Sequence, residues 1–206
     1  MKRLCLALAA LAMCSAGTAG IADSPGSVQP LAAGSVAPSA NLVGIGGASA
    51  ELSDIFAAKP TIVIFFRGGW CPFCNRHLAS LAGVELDLRR LGYQIVAISP
   101  DPVSDLEKTA ANEHLRYRLF SDRGMKVSGA YKVAFRISAA DEKDYRGNGI
   151  NLPRIPGDPD FWLCIPTAFI VGRDGLIKFV YFNPDPAITI STQALMAAAK
   201  ATAEAR

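Results

Sequence analysis

The chain has 206 residues, of which 50% are hydrophobic, and a formal net charge of +3 from 21 basic and 18 acidic residues. This length is enough for one domain with a full hydrophobic core. Two of the basic residues, Lys2 and Arg3, belong to the N-terminal segment described next. The rest of the chain is therefore nearly neutral, and its composition gives no basic patch for nucleic acid or an anionic surface.

Residues 1–22 have the pattern of a secretory signal peptide. A basic start is followed by an uncharged apolar run over residues 4–13 and then by small residues. The run is too short to span a bilayer, which takes about 20 residues. Cys14 lies in a weak lipoprotein-like context, but Met13 stands where a small residue is expected, so we do not predict lipid anchoring. We expect an exported protein, periplasmic or secreted after cleavage, without a membrane span.

Loss of that segment would remove Cys5 and Cys14 and leave Cys71, Cys74 and Cys164. Three cysteines are too few for a fold held together by disulfides. In an oxidising compartment, a close pair with one further cysteine favours a working dithiol.

Residues 23–35 are rich in Ser, Pro, Gly and Ala and are predicted to form an irregular lead-in to one domain, residues 36–206. The patterns that follow predict strands at 41–45, 61–66, 94–99 and 118–120, and a hairpin of strands 167–171 and 176–182. Between and after these strands they predict a helical turn at 52–58 and helices at 71–91, 124–132 and 191–203. A further helix is predicted from a cap at Asp101-Pro102 to about 113. Parallel strands joined by helices and followed by a hairpin predict an α/β fold with a central mixed sheet and helices on both faces.

Residues 139–160 differ from the rest in being charged and rich in Gly and Pro. We interpret them as a solvated surface insertion. The alternative is a lid or binding segment, since long loops without regular structure often have such roles.

The sequence Gly69-Trp-Cys-Pro-Phe-Cys74 follows the apolar strand and begins the helix predicted next. A helix N-terminus offers free N–H groups and positive partial charge, and both stabilise a thiolate. In Cys-X-X-Cys motifs the cysteine pKa can fall to roughly 3.5–7.5. Pro72 suits the first helical position. We predict that Cys71, at the N-cap and nearer solvent, attacks a substrate, and that Cys74, on the buried face, resolves the product.

The residues required for other functions of a Cys-X-X-Cys motif are mostly absent from this sequence. A structural zinc site needs two more ligands, and only His77, His114 and Cys164 remain as candidates. Haem attachment requires a His directly after the second Cys, where Asn75 stands. A structural disulfide remains open, although closing so short a loop stabilises a protein little.

The motif, together with Phe169–Gly175 in the hairpin, resembles the peroxiredoxin-like AhpC/TSA group of the thioredoxin-fold superfamily. Weaker matches extend the resemblance over residues 36–182. It implies a thioredoxin-like fold of β-α-β-α, a β-hairpin and a C-terminal helix. It also implies a thiol oxidoreductase without cofactor or metal, acting on protein or small-molecule disulfides or on peroxides, with a thiol reductant or oxidant as its partner.

Two departures from this group concern peroxide chemistry. Its members carry Pro-x-x-x-Thr/Ser-x-x-Cys, and alignment of Cys74 with the peroxidatic Cys puts Arg67 at the Pro and Cys71 at the hydroxyl that orients the peroxide. Pro166 takes the place of a later arginine and resembles the cis-Pro that lies opposite the Cys pair in thioredoxins. Phe65 stands where thioredoxins have a buried Asp.

The resemblance thus implies disulfide exchange by Cys71 and Cys74, with Trp70, Pro72, Ile165 and Pro166 positioning the substrate. The alternative is a thiol-dependent peroxidase with Cys74 as the peroxidatic Cys. A further alternative is copper binding or delivery, because paired thiolates suit Cu(I). The thioredoxin-fold copper proteins, however, space their cysteines differently and place a His in a late loop.

Three side chains near the motif have open roles. Arg67 would lower a thiolate pKa as a nearby cation, or would be a solvated loop charge. His77 is predicted to be a partly exposed residue on the helix surface, with an influence on the two thiols as the alternative. Cys164 is predicted to be a buried structural thiol, with a role as second resolving thiol as the alternative.

Overall fold

The computed structural model describes residues 21–152 and 159–204. The predicted signal peptide therefore lies, apart from Ile21 and Ala22, outside the described residues. The strands are β1 (Asn41–Gly44), β2 (Ser49–Glu51), β3 (Thr61–Phe65), β4 (Gln94–Ser99), β5 (Arg118–Ser121), β6 (Ala134–Ile137), β7 (Phe161–Cys164), β8 (Thr167–Val171) and β9 (Ile177–Phe182). The α-helices are α1 (Leu52–Ala58), α2 (Pro72–Arg90), α3 (Val103–Asn112), α4 (Lys126–Ala130), α5 (Ala139–Gly147) and α6 (Thr192–Glu204).

Seven strands form one mixed sheet in the order β2-β1-β5-β4-β3-β8-β9. Strands β3, β4 and β5 are parallel, whereas β8 pairs with β3, and β9 with β8, in the antiparallel sense. All five residues of β3 are buried, as its unbroken apolar pattern predicts. The predicted α/β fold, with its parallel core and late hairpin, is confirmed.

Alternate residues of β3 point to two different hydrophobic clusters. Ile62 and Ile64 pack with side chains of α2 and α6, and Val63 and Phe65 pack with side chains of α1 and α4. Helices thus cover both faces of the sheet. The site-bearing α2 lies against the centre of the sheet through the stripe Cys74, Leu78, Leu81 and Leu88. It ends before Gly92, whose φ of +88° places it in the left-handed conformation that closes many helices.

A second, two-stranded sheet was not predicted. Strands β6 and β7 are antiparallel, with Ala134 opposite Cys164 and Ile137 opposite Phe161. Helix α5 follows β6 directly, and the Ser138 hydroxyl caps it by accepting a hydrogen bond from the Asp141 N–H at 3.1 Å. The prediction that residues 139–160 lack regular structure is therefore wrong for 139–147, where a good N-cap offsets an unfavourable composition.

The lead-in contains one short 3-10 turn, Pro25–Ser27, and lies against the sheet. The N–H groups of Leu31 and Gly34 donate to the carbonyls of Tyr131 and Ile177. Within the described residues, none of the helices combines the length and the apolar character needed to cross a membrane.

Candidate active site

A tight loop carries the chain from β3 to α2. Gly68 has a φ of +150°, and a Cβ on Gly69 would overlap the hydroxyl of Thr109 on α3. Glycine at both positions is therefore required by the backbone path. The loop ends at Cys71, which is the N-cap of α2, and Pro72 occupies the first helical position as predicted.

The side chain of Asp101 holds this loop from the next parallel strand. Its Oδ2 accepts a hydrogen bond from the Gly69 N–H at 2.7 Å, and the Ser121 hydroxyl donates to its backbone carbonyl at 2.6 Å. Burial raises the pKa of Asp101. The prediction that Asp101-Pro102 caps α3 is wrong for Asp101: Pro102 is the N-cap and no side chain caps the helix, because the carboxylate faces Gly69 instead.

The two thiols of the motif interact directly. Cys71 Sγ accepts a hydrogen bond from the Cys74 N–H at 3.4 Å. The pKa of Cys71 is lowered to about 6, chiefly by a hydrogen bond from the Cys74 thiol and further by backbone N–H groups and the positive charge of Arg67. The pKa of Cys74 is raised, chiefly because its thiol donates that bond and also because it is buried. The pair therefore favours a thiolate on Cys71 and a proton on Cys74.

Both cysteines are buried, with only 1% of each residue exposed. Cys71 is therefore not exposed, although it lies less deeply than Cys74, as predicted. An N-cap position places a side chain at the end of a helix but does not determine what covers it, and here Cys71 packs in the same apolar cluster as Cys74 and Leu78.

Arg67 lies between two aromatic rings. Its guanidinium is 4.9 Å from the centre of the Trp70 ring and 5.5 Å from that of Tyr145, and it donates a hydrogen bond to the Tyr145 hydroxyl. The two rings are edge to face, with centroids 5.6 Å apart. Arg67 is thus a positioned cation near Cys71 and not a solvated loop charge. Its partner Tyr145, on α5, was not predicted as a site residue.

The segment Ile165-Pro166 joins β7 to β8. The Ile165 N–H donates to the Val133 carbonyl at 3.0 Å, which fixes the segment against the end of β6. Both residues line a cavity of about 500 Å³ together with Arg67, Tyr145 and Cys164. No cis peptide bond occurs in the described residues, so the likeness of Pro166 to the thioredoxin cis-Pro does not extend to the geometry of its peptide bond.

Two further candidates are buried beside the motif. His77 is only 7% exposed, its Nε2 has no hydrogen-bond partner, and burial lowers its pKa to about 4. The prediction of a partly exposed His77 is therefore wrong, because α2 is covered over a wider face than its leucine stripe. Cys164 is fully buried and its thiol donates to the Phe66 carbonyl at 3.2 Å, while burial raises its pKa. Across residues 21–152 and 159–204, no cluster of three His, Cys, Asp or Glu side chains has the geometry of a metal site.

Comparison with known proteins places the chain in a family. The profile of the AhpC/TSA family matches residues 33–180, most of the chain. The peroxiredoxin Bcp of Escherichia coli K12 is 25% identical over 155 residues, which cover 75% of this chain and 87% of that protein. A chloroplastic peroxiredoxin Q of Suaeda salsa is 24% identical over 156 residues, covering 76% of this chain and 62% of that protein.

Solved structures share the fold. The peroxidoxin BcpB of Mycobacterium tuberculosis superimposes with a TM-score of 0.64 at 20% identity, over 84% of this chain and 96% of its own. Reduced Prx3 of Vibrio vulnificus, solved in complex with hydrogen peroxide, gives 0.65 at 15% identity, over 82% and 99%. These matches confirm the resemblance found in the sequence: the chain belongs to the AhpC/TSA family and is a thiol oxidoreductase of the peroxiredoxin type with a thioredoxin-like fold.

Proposed function

We propose that this protein is an exported thiol–disulfide oxidoreductase in which Cys71 is the nucleophile and Cys74 the resolving thiol. The observation that carries the proposal is the hydrogen-bonded pair at the start of α2, where the pKa of Cys71 is lowered to about 6 and that of Cys74 is raised. A thiolate beside a protonated partner is the state in which a dithiol begins disulfide exchange.

The reaction proceeds in two exchanges. The Cys71 thiolate attacks one sulfur of the substrate disulfide, the substrate S–S bond breaks, and the released thiolate takes a proton. Cys74 then loses its proton and attacks Cys71 Sγ, which closes the Cys71–Cys74 disulfide and releases the second substrate thiol. Two electrons pass from the dithiol to the substrate, and the reverse sequence oxidises a substrate dithiol.

The surroundings of the pair support a substrate larger than a peroxide. The cavity of about 500 Å³ beside Arg67, Ile165 and Pro166 has the size of a small-molecule site. Trp70 and Pro72 flank Cys71 in the chain, at the loop and the first turn of α2, and would position the substrate there. Protein disulfides or small-molecule disulfides fit this arrangement, with a separate thiol or disulfide partner restoring the starting state.

Thiol-dependent peroxide reduction is the second candidate, because the relatives are named peroxiredoxins. The resemblance in sequence also puts Cys74 at the place of the family's peroxidatic Cys. In that reaction the Cys74 thiolate would attack a peroxide oxygen and become a sulfenic acid, and Cys71 would then condense with it to give the disulfide and water. Cys74, however, holds its proton more tightly than an ordinary thiol. Cys71 and Pro166 also replace the hydroxyl and the arginine that handle peroxide in the family, and loss of one such donor can reduce the rate by about 10²–10³.

Stopped-flow fluorescence separates these candidates. Reduced protein carrying Trp162→Phe, which leaves Trp70 as the reporter, is mixed with hydrogen peroxide or with bis(2-hydroxyethyl) disulfide. We expect ready exchange with the disulfide, slow reaction with peroxide, and loss of the disulfide reaction in Cys71→Ser. If peroxide oxidises the protein faster than the disulfide does, and Cys71→Ser keeps that speed, peroxidase function replaces the proposal.

Export rests on the signal-like pattern of residues 1–22 alone. Expression of the full chain in a Gram-negative host followed by fractionation and N-terminal sequencing tests it. We expect a shortened protein in the periplasm, and a matched chain without residues 2–22 in the cytoplasm. An unprocessed full-length protein in the cytoplasm would contradict export.

A further inference from the structure

The two thiols of the motif are closed off from substrate. Cys71 and Cys74 are each 1% exposed, although a substrate sulfur has to reach Cys71 Sγ along the line of the bond that breaks. A part of the protein must therefore move before exchange can begin.

Helix α5 lies at the surface of the protein, and its Tyr145 contacts residues of the motif loop. None of its nine residues, all of which are described, is buried. Its cap at Ser138 and its ion pair between Arg146 and Glu142 lie within the helix and its N-terminal turn, and so do not attach it to the sheet. Its contact with the motif is made by Tyr145, through the edge-to-face packing on Trp70 and the hydrogen bond from Arg67.

Space adjoins this contact on two sides. Tyr145 and Ile150 line the cavity of about 500 Å³ that also contains Arg67 and Pro166. Ile150 and Leu152 line a second cavity, of about 430 Å³, that contains Trp70 and Asp101. The segment from Tyr145 to Leu152 thus lies between two cavities, and Tyr145 and Ile150 within it are only half-buried, whereas Leu152 anchors its end in the core.

We propose that Tyr145 is a positioning residue that controls the reactivity of Cys71 in two ways. Its ring closes the dithiol from solvent, and its hydroxyl holds the Arg67 guanidinium beside the Cys71 sulfur. The inference rests on the proposed function in one respect, that Cys71 is the nucleophile.

The two effects act in opposite directions on the rate. The closed arrangement keeps a cation near Cys71 and favours the thiolate, but it excludes the substrate. Departure of Tyr145 opens the path to Cys71 and at the same time frees Arg67 to move away. A substrate that reaches Cys71 only in the open arrangement shifts the equilibrium towards it, so binding and opening are coupled.

The pH dependence of alkylation separates access from thiolate formation, because access sets the plateau rate and the pKa sets the midpoint. Reduced full-length protein is treated with iodoacetamide over a range of pH, and labelling of Cys71 is followed by peptide mass spectrometry. Other ionisable groups around Cys71 are the Cys74 thiol and Arg67, and the variants below leave both in place.

Tyr145→Phe keeps the ring and removes the hydroxyl. We expect its midpoint to rise and its plateau to stay within about twofold of the parent. Tyr145→Ala removes both, and we expect a higher midpoint together with a plateau raised by about tenfold or more. Lys143→Ala, on the exposed surface of the same helix, serves as the matched control and should reproduce the parent curve.

If the pH midpoint of Cys71 alkylation is unchanged in Tyr145→Phe, the hydroxyl does not position Arg67. If the plateau rate of alkylation is unchanged in Tyr145→Ala, the ring does not close the dithiol from solvent. Should Tyr145→Ala unfold, Tyr145→Leu takes its place, and hydrogen exchange of α5 in the parent protein tests the opening directly. Failure of the proposed function looks different: label would then appear first on Cys74, whatever residue stands at 145.

Discussion

The carboxylate of Asp101 accepts a hydrogen bond from the N–H of Gly69 at 2.7 Å, across 32 residues of sequence. This bond ties the loop that presents Cys71 to the end of the neighbouring parallel strand, β4. Because Ser99 and Ser121 also bond to the backbone of Asp101, the anchor itself is fixed. The position of the nucleophile therefore depends on a residue outside the Cys-X-X-Cys motif.

Asp101→Ala should destabilise the protein and slow the reaction of Cys71. The Gly69 N–H then loses its partner, and an unsatisfied buried donor costs about 1–3 kcal/mol. Asp101→Asn keeps an acceptor oxygen and should restore most of the stability. The measurements are urea unfolding and the rate of Cys71 alkylation, with Ser104→Ala on the exposed side of α3 as the control. Equal losses in the Ala and Asn variants would show that the charge, and not the hydrogen bond, matters.

The dithiol could be predicted from sequence because its determinants are local. An apolar strand, two glycines, a proline at the first helical turn and a leucine stripe all lie within about one strand and one helix of each other. The same local patterns predicted the central strands, α2 and the late hairpin.

The surroundings of the dithiol could not be predicted, because they come from distant parts of the chain. Asp101 reaches Gly69 across 32 residues and Tyr145 reaches Arg67 across 78, and neither contact has a periodic pattern. Strands β6 and β7 have only four residues each, too few for a clear alternation. Glycines and prolines in residues 139–160 concealed α5, whose signal was the Ser138 cap with acidic residues in the first turn.

Alkylation of Cys71 should rise with pH around a midpoint near 6. The thiolate is the reactive form, and the pKa of Cys71 is lowered to about 6, so labelling increases as the pH passes upward through that value. Cys74 keeps its proton over the same range and should label later. In Cys74→Ala the thiol donor is gone, and the midpoint should move up towards the ordinary cysteine value of about 8.5. Earlier labelling of Cys74 would reverse the roles of the two cysteines.

Cys164 should take no part in the exchange. Its thiol is fully buried and donates to the Phe66 carbonyl, and burial raises its pKa. Cys164→Ala should keep the rate of disulfide exchange and lose about 1–2 kcal/mol of unfolding free energy, as is usual for truncation of a buried side chain. Peptide mapping of the oxidised parent should show a Cys71–Cys74 disulfide. A disulfide between Cys74 and Cys164 would instead identify Cys164 as a second resolving thiol.

His77 should make the protein sensitive to acid without affecting the dithiol. Burial lowers its pKa to about 4 in the folded state, against 6.5 for the free side chain, so below about pH 6.5 the unfolded chain binds a proton that the folded one does not. Stability is therefore lost as the pH falls from about 6.5 to 4, by up to about 3 kcal/mol, and the loss stops below the folded pKa.

His77→Leu removes this titration and fills a similar volume, and it also relieves the unpartnered Nε2. Between pH 7 and pH 4, the unfolding free energy in urea should fall in both proteins, because the other titrating groups are common to both. We expect the fall in His77→Leu to be smaller than the fall in the parent by about 3 kcal/mol. His114→Asn is the control, because His114 is exposed and its positive φ of 53° suits Asn. The midpoint of Cys71 alkylation should be the same in all three proteins, as His77 is neutral wherever Cys71 titrates. Equal acid sensitivity in the parent and His77→Leu would contradict this prediction. It would mean that His77 takes up its proton in the folded state, and that α2 opens around His77 to admit it.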